Sequence, residues 1–273
     1  MEKFIIQANR AKSILEVSNI STDSNFIRQE PFLYKLHEED KDYKCVLELF
    51  LSSWKHSDKP VPMVVSIWKI YCGKDLISRY ERYRKEVGNE CRLFHGTKTT
   101  CPIGFESGEL CIEGSCSICC IIKEGYKLKY AKAGLFGKGI YFSTTSSKCD
   151  NFNVNLLEKH NGINYKTMLM NSVALGKIYK PSENNFSLTN PPPGYDSVCG
   201  DPNTVKNLKD LKHDEIIVYN EDASIPQFLI VYQPRLNFKF EKVVIGSVLL
   251  VRIANAYKLK ALTPIFRDIK ELP

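Results

Sequence analysis

The spacing of apolar positions predicts helices and strands along the first half of the chain. It indicates an amphipathic helix in "DYKCVLELFLSSWKHSD" (42–58), where apolar residues recur every three or four positions. A strand is predicted for "MVVSIWKIYC" (63–72), which alternates apolar and polar positions and contains β-branched residues. A charged amphipathic helix follows in "KDLISRYERYRKEVG" (74–88) and ends on Gly88. A short strand that runs into a turn is predicted for "CRLFHGT" (91–97).

The second half is richer in strand patterns and in loops that contain glycine. We predict a glycine loop, a short strand and the start of a helix in "AKAGLFGKGIYFSTTSSKCDNF" (131–152). A strand follows in "YKTMLMNSVALGKIYK" (165–180) and a long loop in "LTNPPPGYDSVCGDPN" (188–203). Two strongly apolar β-type runs are "DEIIVYN" (214–220) and "PQFLIVYQ" (226–233). Several strands with few helices predict an α+β domain built on antiparallel sheets.

The two ends of the chain carry weaker patterns. Residues 1–41 show no clear period and predict a loose N-terminal lead-in. The most apolar stretch is "VVIGSVLLV" (243–251), which is too short for a membrane helix of about 20 residues. We interpret it as a core strand or core helix in a C-terminal extension (235–273) that packs on the domain. We expect no association with a membrane.

Composition indicates a globular chain with a mild preference for anionic ligands. The 273 residues are 43% hydrophobic and 25% charged, which argues against wholesale disorder. The net charge of +7 fits an anionic ligand such as a nucleotide, but it is too weak to indicate nucleic-acid binding by itself. The chain begins without a secretory signal, and ten cysteines in such a chain indicate a reducing compartment. We therefore expect an intracellular location, in cytoplasm or nucleus.

Half of the cysteines lie in one stretch, "CPIGFESGELCIEGSCSICC" (101–120). Cys101, Cys111, Cys116 and Cys119 have the spacing C-x9-C-x4-C-x2-C, and the final pair is typical of a zinc knuckle. Four thiolates this close in sequence can close a tetrahedral structural zinc site, which leaves no open position for catalysis. The alternative is a cysteine-rich loop that holds no metal and is sensitive to oxidation.

The polar residues of the glycine-containing segments carry little information one at a time. His95 ends an apolar strand, and a lone histidine is more often structural than catalytic. The segment "FGKGIYF" (136–142) lacks the pattern of a phosphate-binding loop, and Tyr141 alone would be a core aromatic. Glu215 opens a strand beside Asp214, where a carboxylate is most often a solvated edge residue.

Together, however, four segments resemble in order the signature segments of the poly(ADP-ribose) polymerase catalytic domain family. They are "LFHGT" (93–97), "GLFGKGIYFSTTSSK" (134–148), "PPPGYDSVCG" (191–200) and "DEIIVYNEDASIPQFLIVYQ" (214–233). The last segment resembles the tankyrase branch, whereas the cysteine-rich insertion is similar to single-domain members of fungi and other lower eukaryotes. The resemblance covers residues 42–234. It implies the ADP-ribosyltransferase fold, an α+β fold of two antiparallel sheets with flanking helices.

The resemblance also implies an enzyme that breaks the nicotinamide–ribose bond of NAD and transfers ADP-ribose to a protein or nucleic-acid acceptor. The family's triad falls on His95, Tyr141 and Glu215. His95 would hydrogen-bond a ribose hydroxyl of the adenosine half, and the Gly96 backbone would hold the nicotinamide carboxamide. Tyr141 would stack on the nicotinamide ring. Glu215 would place negative charge beside the ribose cation that develops in the transition state.

Two positions of the nicotinamide pocket depart from the family pattern. The serine that donates to the nicotinamide amide aligns with Cys149, whose thiol is a weak donor, and Ser147 could replace it. The second stacking tyrosine aligns with Phe152, which keeps the ring and loses the hydroxyl. We expect Cys149 and Phe152 to contact NAD. A zinc in the insertion would brace a segment beside the cleft, at a different point of the chain from the zinc knuckle of animal tankyrases.

Three functions stay open at this point. The first is ADP-ribose transfer, for which Glu215 leaves polymer formation possible. The second is NAD glycohydrolysis with water as the acceptor. The third is a module that binds NAD or ADP-ribose without turnover, and the intact triad argues against it. Five lysines within residues 123–138 are either a solvated basic loop or an attraction for the NAD pyrophosphate or an acidic acceptor. The sequence leaves the acceptor and the oligomeric state open.

Overall fold

A computed structural model describes most of the chain between residues 30 and 254. The described residues are 30–112, 114–153, 164–205 and 211–235, with the backbone of 239–245 and 248–254. The chain divides into two compact units, Met1–Pro234 and Arg235–Pro273. Most of the predicted lead-in (1–29) lies outside the described residues. Within the described part, no helix has the length and apolar character needed to cross a membrane.

The first unit contains four α-helices in its described residues, and the two longest lie where the sequence predicts them. They are α1 (Lys41–Ser52) and α2 (Lys74–Val87). α2 ends at Gly88, whose positive φ of 68° is a backbone conformation that favours glycine. The short helices are α3 (Ser117–Glu124) and α4 (Ser146–Cys149). The sequence pattern does not predict α3, because eight residues are too few for a helical period to stand out.

Thirteen strands occur in the described part of the chain. In chain order they are β1 (Phe32–Lys35), β2 (Met63–Tyr71), β3 (Glu90–His95), β4 (Ala133–Gly134), β5 (Gly137–Lys138), β6 (Ile140–Phe142), β7 (Lys166–Ala174), β8 (Ile178–Tyr179), β9 (Ser197–Gly200), β10 (Glu215–Val218), β11 (Ser224–Gln233), β12 (Lys239–Ile245) and β13 (Val248–Ala254). The sequence predicts β2, β3, β6, β7, β10 and β11. β1 lies in the predicted lead-in, where four residues give no readable period.

The larger sheet is antiparallel, with the strand order β1-β2-β11-β7-β3. β11 is its central strand, and both of its faces are buried. Leu229 and Val231 join a cluster that includes α2, α3 and the smaller sheet. Phe228, Ile230 and Tyr232 join a second cluster with α1 on the opposite face. Burial on both faces explains why β11 is a continuous apolar run rather than an alternating one.

The smaller sheet has the order β6-β10-β9-β8 and is antiparallel except for the parallel pair β8 and β9. β9 lies inside the segment predicted as a long loop, so that prediction is wrong for Ser197–Gly200. Proline, glycine and aspartate on both sides of these four residues hide the strand. The predicted α+β fold, with two mainly antiparallel sheets and flanking helices, is confirmed.

In the second unit, β12 and β13 form an antiparallel hairpin. The apolar stretch 243–251 therefore contributes to two strands, which agrees with the strand interpretation, and the alternative of a helix is wrong. The side chains of residues 236–273 lie outside the described residues. That this extension packs on the domain stays a prediction.

Candidate active site and cysteine cluster

Strands from both sheets bring the three predicted triad residues close together. His95 ends β3, Tyr141 is the middle residue of β6, and Glu215 begins β10. β6 and β10 are paired neighbours in the smaller sheet. An isolated bridge between Phe94 and Ser143 joins β3 of the larger sheet to the segment after β6. This bridge connects the two sheets at the candidate site.

His95 presents a neutral, fixed imidazole. Its Nδ1 lies 2.8 Å from the carbonyl oxygen of Tyr141. Because a carbonyl only accepts, Nδ1 carries the hydrogen and Nε2 of the neutral ring carries the lone pair. Burial lowers the pKa of His95, which keeps the ring uncharged at neutral pH. Nε2 can therefore accept a hydrogen bond from a ligand hydroxyl.

At Gly96 the chain passes extremely close to a neighbouring segment. A Cβ atom on Gly96 would lie 1.9 Å from the carbonyl oxygen of Cys149, so only glycine fits. The buried thiol of Cys149 donates to the carbonyl of Phe94 at 3.2 Å, and its contact with NAD stays a prediction. Ser147 Oγ accepts from two backbone amides, and His56 Nδ1 lies 2.7 Å away. Because the two amides occupy both lone pairs of the hydroxyl, its hydrogen is directed at Nδ1. Its hydrogen is already used, which argues against Ser147 as a replacement for Cys149.

Tyr141 offers its ring rather than its hydroxyl to a ligand. The hydroxyl donates to the Gly137 carbonyl at 2.7 Å and accepts from the Phe136 amide at 3.0 Å. A Cβ atom on Gly134 would lie only 2.7 Å from the ring. Burial is the main reason that the pKa of Tyr141 rises to about 12, and the nearby Glu215 carboxylate adds to it. The glycine loop thus holds an uncharged aromatic ring in a fixed position.

Glu215 has one carboxylate oxygen paired and one without a partner. Lys148 Nζ lies 2.8 Å from Oε1 and 3.1 Å from the His213 carbonyl oxygen, and both side chains of the ion pair are 13% exposed. Oε2 is buried and has no hydrogen-bond partner among the described residues. Such an atom needs a donor, which a ligand hydroxyl can supply. The solvated-edge interpretation of Glu215 is therefore wrong.

Sequence reasoning missed two residues that hold Glu215 in place, Lys148 and Asp214. Asp214 is buried and accepts from the Thr144 amide at 3.0 Å and from Ser143 Oγ at 2.9 Å. Lys148 lies in α4, and the three other residues of this helix are small and buried. A lysine in such a stretch needs a charged partner, and that is the signal that could have identified it.

Phe152 lies at the surface beside this site, with 59% of its area exposed. It ends a 3₁₀ helix (Asp150–Phe152) that follows α4 directly. Asp150 fixes this helix, because its carboxylate accepts from Lys59 and Lys166 at 2.7 Å each and from the Tyr232 hydroxyl at 2.8 Å. The arrangement supports the backbone around Phe152, and the contact of its ring with NAD stays a prediction.

The insertion brings four cysteine sulfurs together. The sulfurs of Cys101, Cys111, Cys116 and Cys119 all lie within 4.8 Å of one another. Cys101 Sγ is 3.4 Å from Cys116 Sγ and 3.5 Å from Cys119 Sγ, and all ten cysteines of the chain are free. A tetrahedral zinc with bonds of about 2.3 Å would place its sulfurs about 3.8 Å apart, so the four-sulfur set fits this metal. His95 is not part of the group.

Comparison with known proteins agrees with this geometry. The chain is 29% identical over 177 residues to protein mono-ADP-ribosyltransferase PARP4 of Homo sapiens, which covers 64% of this chain and 9% of that protein. It is 28% identical over 178 residues to protein mono-ADP-ribosyltransferase PARP3 of Homo sapiens, which covers 59% of this chain and 30% of that protein. It is 22% identical over 255 residues to poly [ADP-ribose] polymerase 1 of Arabidopsis thaliana, which covers 82% of this chain and 23% of that protein. The chain thus spans less than a third of the length of each relative. The family model of the poly(ADP-ribose) polymerase catalytic domain matches residues 40–234, and the chain belongs to this family.

Proposed function

We propose that the first unit is an NAD-dependent ADP-ribosyltransferase that cleaves the nicotinamide–ribose bond and transfers ADP-ribose to a protein or nucleic-acid acceptor. Family membership supports NAD as the substrate and ADP-ribose as the transferred group. The observation that carries the proposal is the buried Oε2 of Glu215, which has no hydrogen-bond partner among the described residues. The Glu215 carboxylate is also close enough to Tyr141 to raise the pKa of the tyrosine.

In this proposal Tyr141 and Glu215 act at the reacting bond. When the bond from ribose to the nicotinamide nitrogen breaks, its electron pair leaves with neutral nicotinamide and positive charge builds on the ribose. A carboxylate shielded from water stabilises that charge more strongly than one in solvent. Glu215 Oε2 accepts from a hydroxyl of this ribose while Lys148 holds Oε1. The ring of Tyr141 stacks on nicotinamide.

The remaining predicted contacts hold the rest of NAD. His95 Nε2 accepts a hydrogen bond from a ribose hydroxyl of the adenosine half, because Nδ1 already donates its hydrogen to the carbonyl oxygen of Tyr141. The Gly96 backbone holds the carboxamide, and Phe152 covers the nicotinamide from the surface. The Cys149 thiol already donates to the Phe94 carbonyl, so a contact with the nicotinamide amide requires it to exchange that acceptor.

Incubation of the purified chain with NAD labelled in the adenosine half tests the reaction class. We expect free nicotinamide to appear together with label on a protein or nucleic acid. Nicotinamide without labelled macromolecule would favour glycohydrolysis, in which water is the acceptor. NAD binding without release of nicotinamide would favour the binding module, and either result would contradict the transferase proposal.

We also propose that the four clustered cysteines bind one structural zinc. Support comes from the distances between their sulfurs and from the free state of all the thiols, which suits a reducing compartment. When bound, the metal would tie the loop at Cys101 and Cys111 to the start of α3 at Cys116 and Cys119.

Elemental analysis of the purified chain tests the zinc proposal. We expect about one zinc per chain, the stoichiometry of a closed four-thiolate site, and almost none in Cys116→Ser. Cys120→Ser is the matched control, since Cys120 is adjacent to Cys119 but outside the group of four. Less than about 0.2 zinc per wild-type chain, or equal loss in both variants, would contradict a site made by these four thiolates.

A further inference from the structure

We propose that Tyr126 is a positioning residue for His95 and that it connects the cysteine cluster to NAD binding. The proposal rests on the proposed function, because it concerns how firmly His95 holds the adenosine half of NAD. Its consequence is that zinc in the cluster raises the affinity of the chain for NAD.

The connection begins at the N-terminal end of α3. Cys116 immediately precedes this helix and Cys119 lies in its first turn, whereas Cys101 and Cys111 come from the preceding loop. α3 has eight residues and no side-chain hydrogen bond at its N-cap. Helices shorter than about 12 residues are marginal by themselves, so the position of α3 depends on its tertiary contacts. A metal held by these cysteines adds one such contact at this end.

The C-terminal end of α3 leads directly into the active-site core. Gly125 follows the helix with a φ of 80°, and a Cβ atom there would lie 2.7 Å from Leu76. The next residue, Tyr126, is buried, and its hydroxyl donates to Asn171 Oδ1 at 2.7 Å. One tightly packed glycine is therefore the entire spacer between the helix and Tyr126. A shift of α3 is passed on to Tyr126 instead of being absorbed by a flexible loop.

Tyr126 packs directly against the histidine of the site. The two rings are edge to face, with centroids 5.0 Å apart and planes at 82°. Phe142 contacts both rings, at 5.6 Å from His95 and 5.3 Å from Tyr126. The hydrogen bond from Nδ1 to Tyr141 fixes one atom of the imidazole, and the two aromatic rings restrict its rotation. Tyr126 thus helps to keep Nε2 in the direction needed by a ligand hydroxyl.

A second anchor limits how far Tyr126 can move. The Leu128 amide donates to Glu221 Oε1 at 2.8 Å, and Lys127 Nζ lies 3.2 Å from Glu221 Oε2. Loss of the metal should therefore loosen the contact between Tyr126 and His95 without releasing the segment. The expected result is a moderate loss of NAD affinity rather than unfolding of the site.

Calorimetric titration of NAD tests the role of Tyr126. All proteins carry Glu215→Gln, which is designed to prevent turnover during the titration. We expect Tyr126→Leu to raise the Kd for NAD about 3- to 10-fold, which corresponds to the interaction free energy of one aromatic pair. Tyr126→Phe keeps the ring and should restore the affinity to within about twofold. Tyr130→Leu is the matched control, because Tyr130 is 72% exposed and lies four residues away in sequence.

Removal of zinc tests the connection to the cluster. A chelator should raise the Kd for NAD when Tyr126 is present and should have little further effect in Tyr126→Leu, because the two changes act through one contact. For the same reason, introducing Tyr126→Leu into a His95→Gln protein should raise the Kd for NAD little further. A merely structural role of Tyr126 would instead give effects that add. The zinc content of Tyr126→Leu should equal that of the parent protein.

Other outcomes separate the possible failures. An unchanged Kd in Tyr126→Leu overturns the positioning role, and an equal chelator effect in both proteins overturns the connection to the cluster. If Tyr126→Leu does not unfold cooperatively, Tyr126→Met replaces it in the same titration. Failure of the proposed function is seen separately, as absence of nicotinamide release from the wild-type chain while the Kd values still follow the expected order. A chain that binds no NAD in any variant overturns both.

Discussion

Replacement of Glu215 by glutamine should lower the rate of nicotinamide release by about 100- to 1,000-fold, the usual effect of removing one preorganised electrostatic contact to the transition state. The amide keeps the size of the carboxylate but carries no negative charge. The loss falls on the step in which the ribose becomes cationic, so the rate at saturating NAD should fall much more than the affinity for NAD. Chromatographic measurement of nicotinamide at several NAD concentrations separates the two quantities.

The ion pair with Lys148 requires its own controls. In Glu215→Gln the ammonium of Lys148 loses its charged partner in a position that is 13% exposed, so we expect a lower melting temperature as well. Glu183→Gln makes the same chemical change at an exposed position and should alter neither rate nor melting. A Glu215→Gln protein that stays folded and releases nicotinamide within about threefold of the wild-type rate would remove Glu215 from the mechanism.

The parts of the fold that the sequence predicts are those whose own residues carry a complete pattern. α1 and α2 span three or more turns, so their apolar stripes are readable. β11 is readable because burial on both faces leaves an unbroken apolar run. β1 and β9 have four residues each, and their strand character comes from pairing with β2 and β10, which no local pattern can reveal.

The same distinction holds for the site. His95, Tyr141 and Glu215 stand in motifs that can be recognised in the sequence, and the resemblance to the family is the basis for their proposed roles. Lys148 and Tyr126 could not be assigned in this way, since their roles arise from partners far along the chain. Lys148 meets Glu215 across 67 positions, and Tyr126 meets His95 only after the insertion has folded. Contacts that form only in the tertiary structure are therefore the part that local sequence patterns do not contain.

Gly96→Ala should damage both the stability of the protein and its binding of NAD. The new Cβ atom would lie 1.9 Å from the carbonyl oxygen of Cys149 and 2.8 Å from its carbonyl carbon. Both are backbone atoms, so no side-chain rotation can relieve the clash. Either the end of β3 or the segment after α4 must move. We expect a loss of about 1–3 kcal/mol in the free energy of unfolding, as for other overpacked sites.

The movement should also reach the ligand, because His95 precedes Gly96 and Phe152 follows Cys149 by three residues. We expect the Kd for NAD to rise by about tenfold or more, which corresponds to a disturbance of at least 1.4 kcal/mol. Thermal unfolding and calorimetric titration measure the two effects on the same protein. Gly114→Ala is the control, since a Cβ atom there meets nothing within 4 Å. If Gly96→Ala loses stability but binds NAD like the control, the contact between Gly96 and Cys149 serves the fold alone, and the nicotinamide pocket must be built elsewhere.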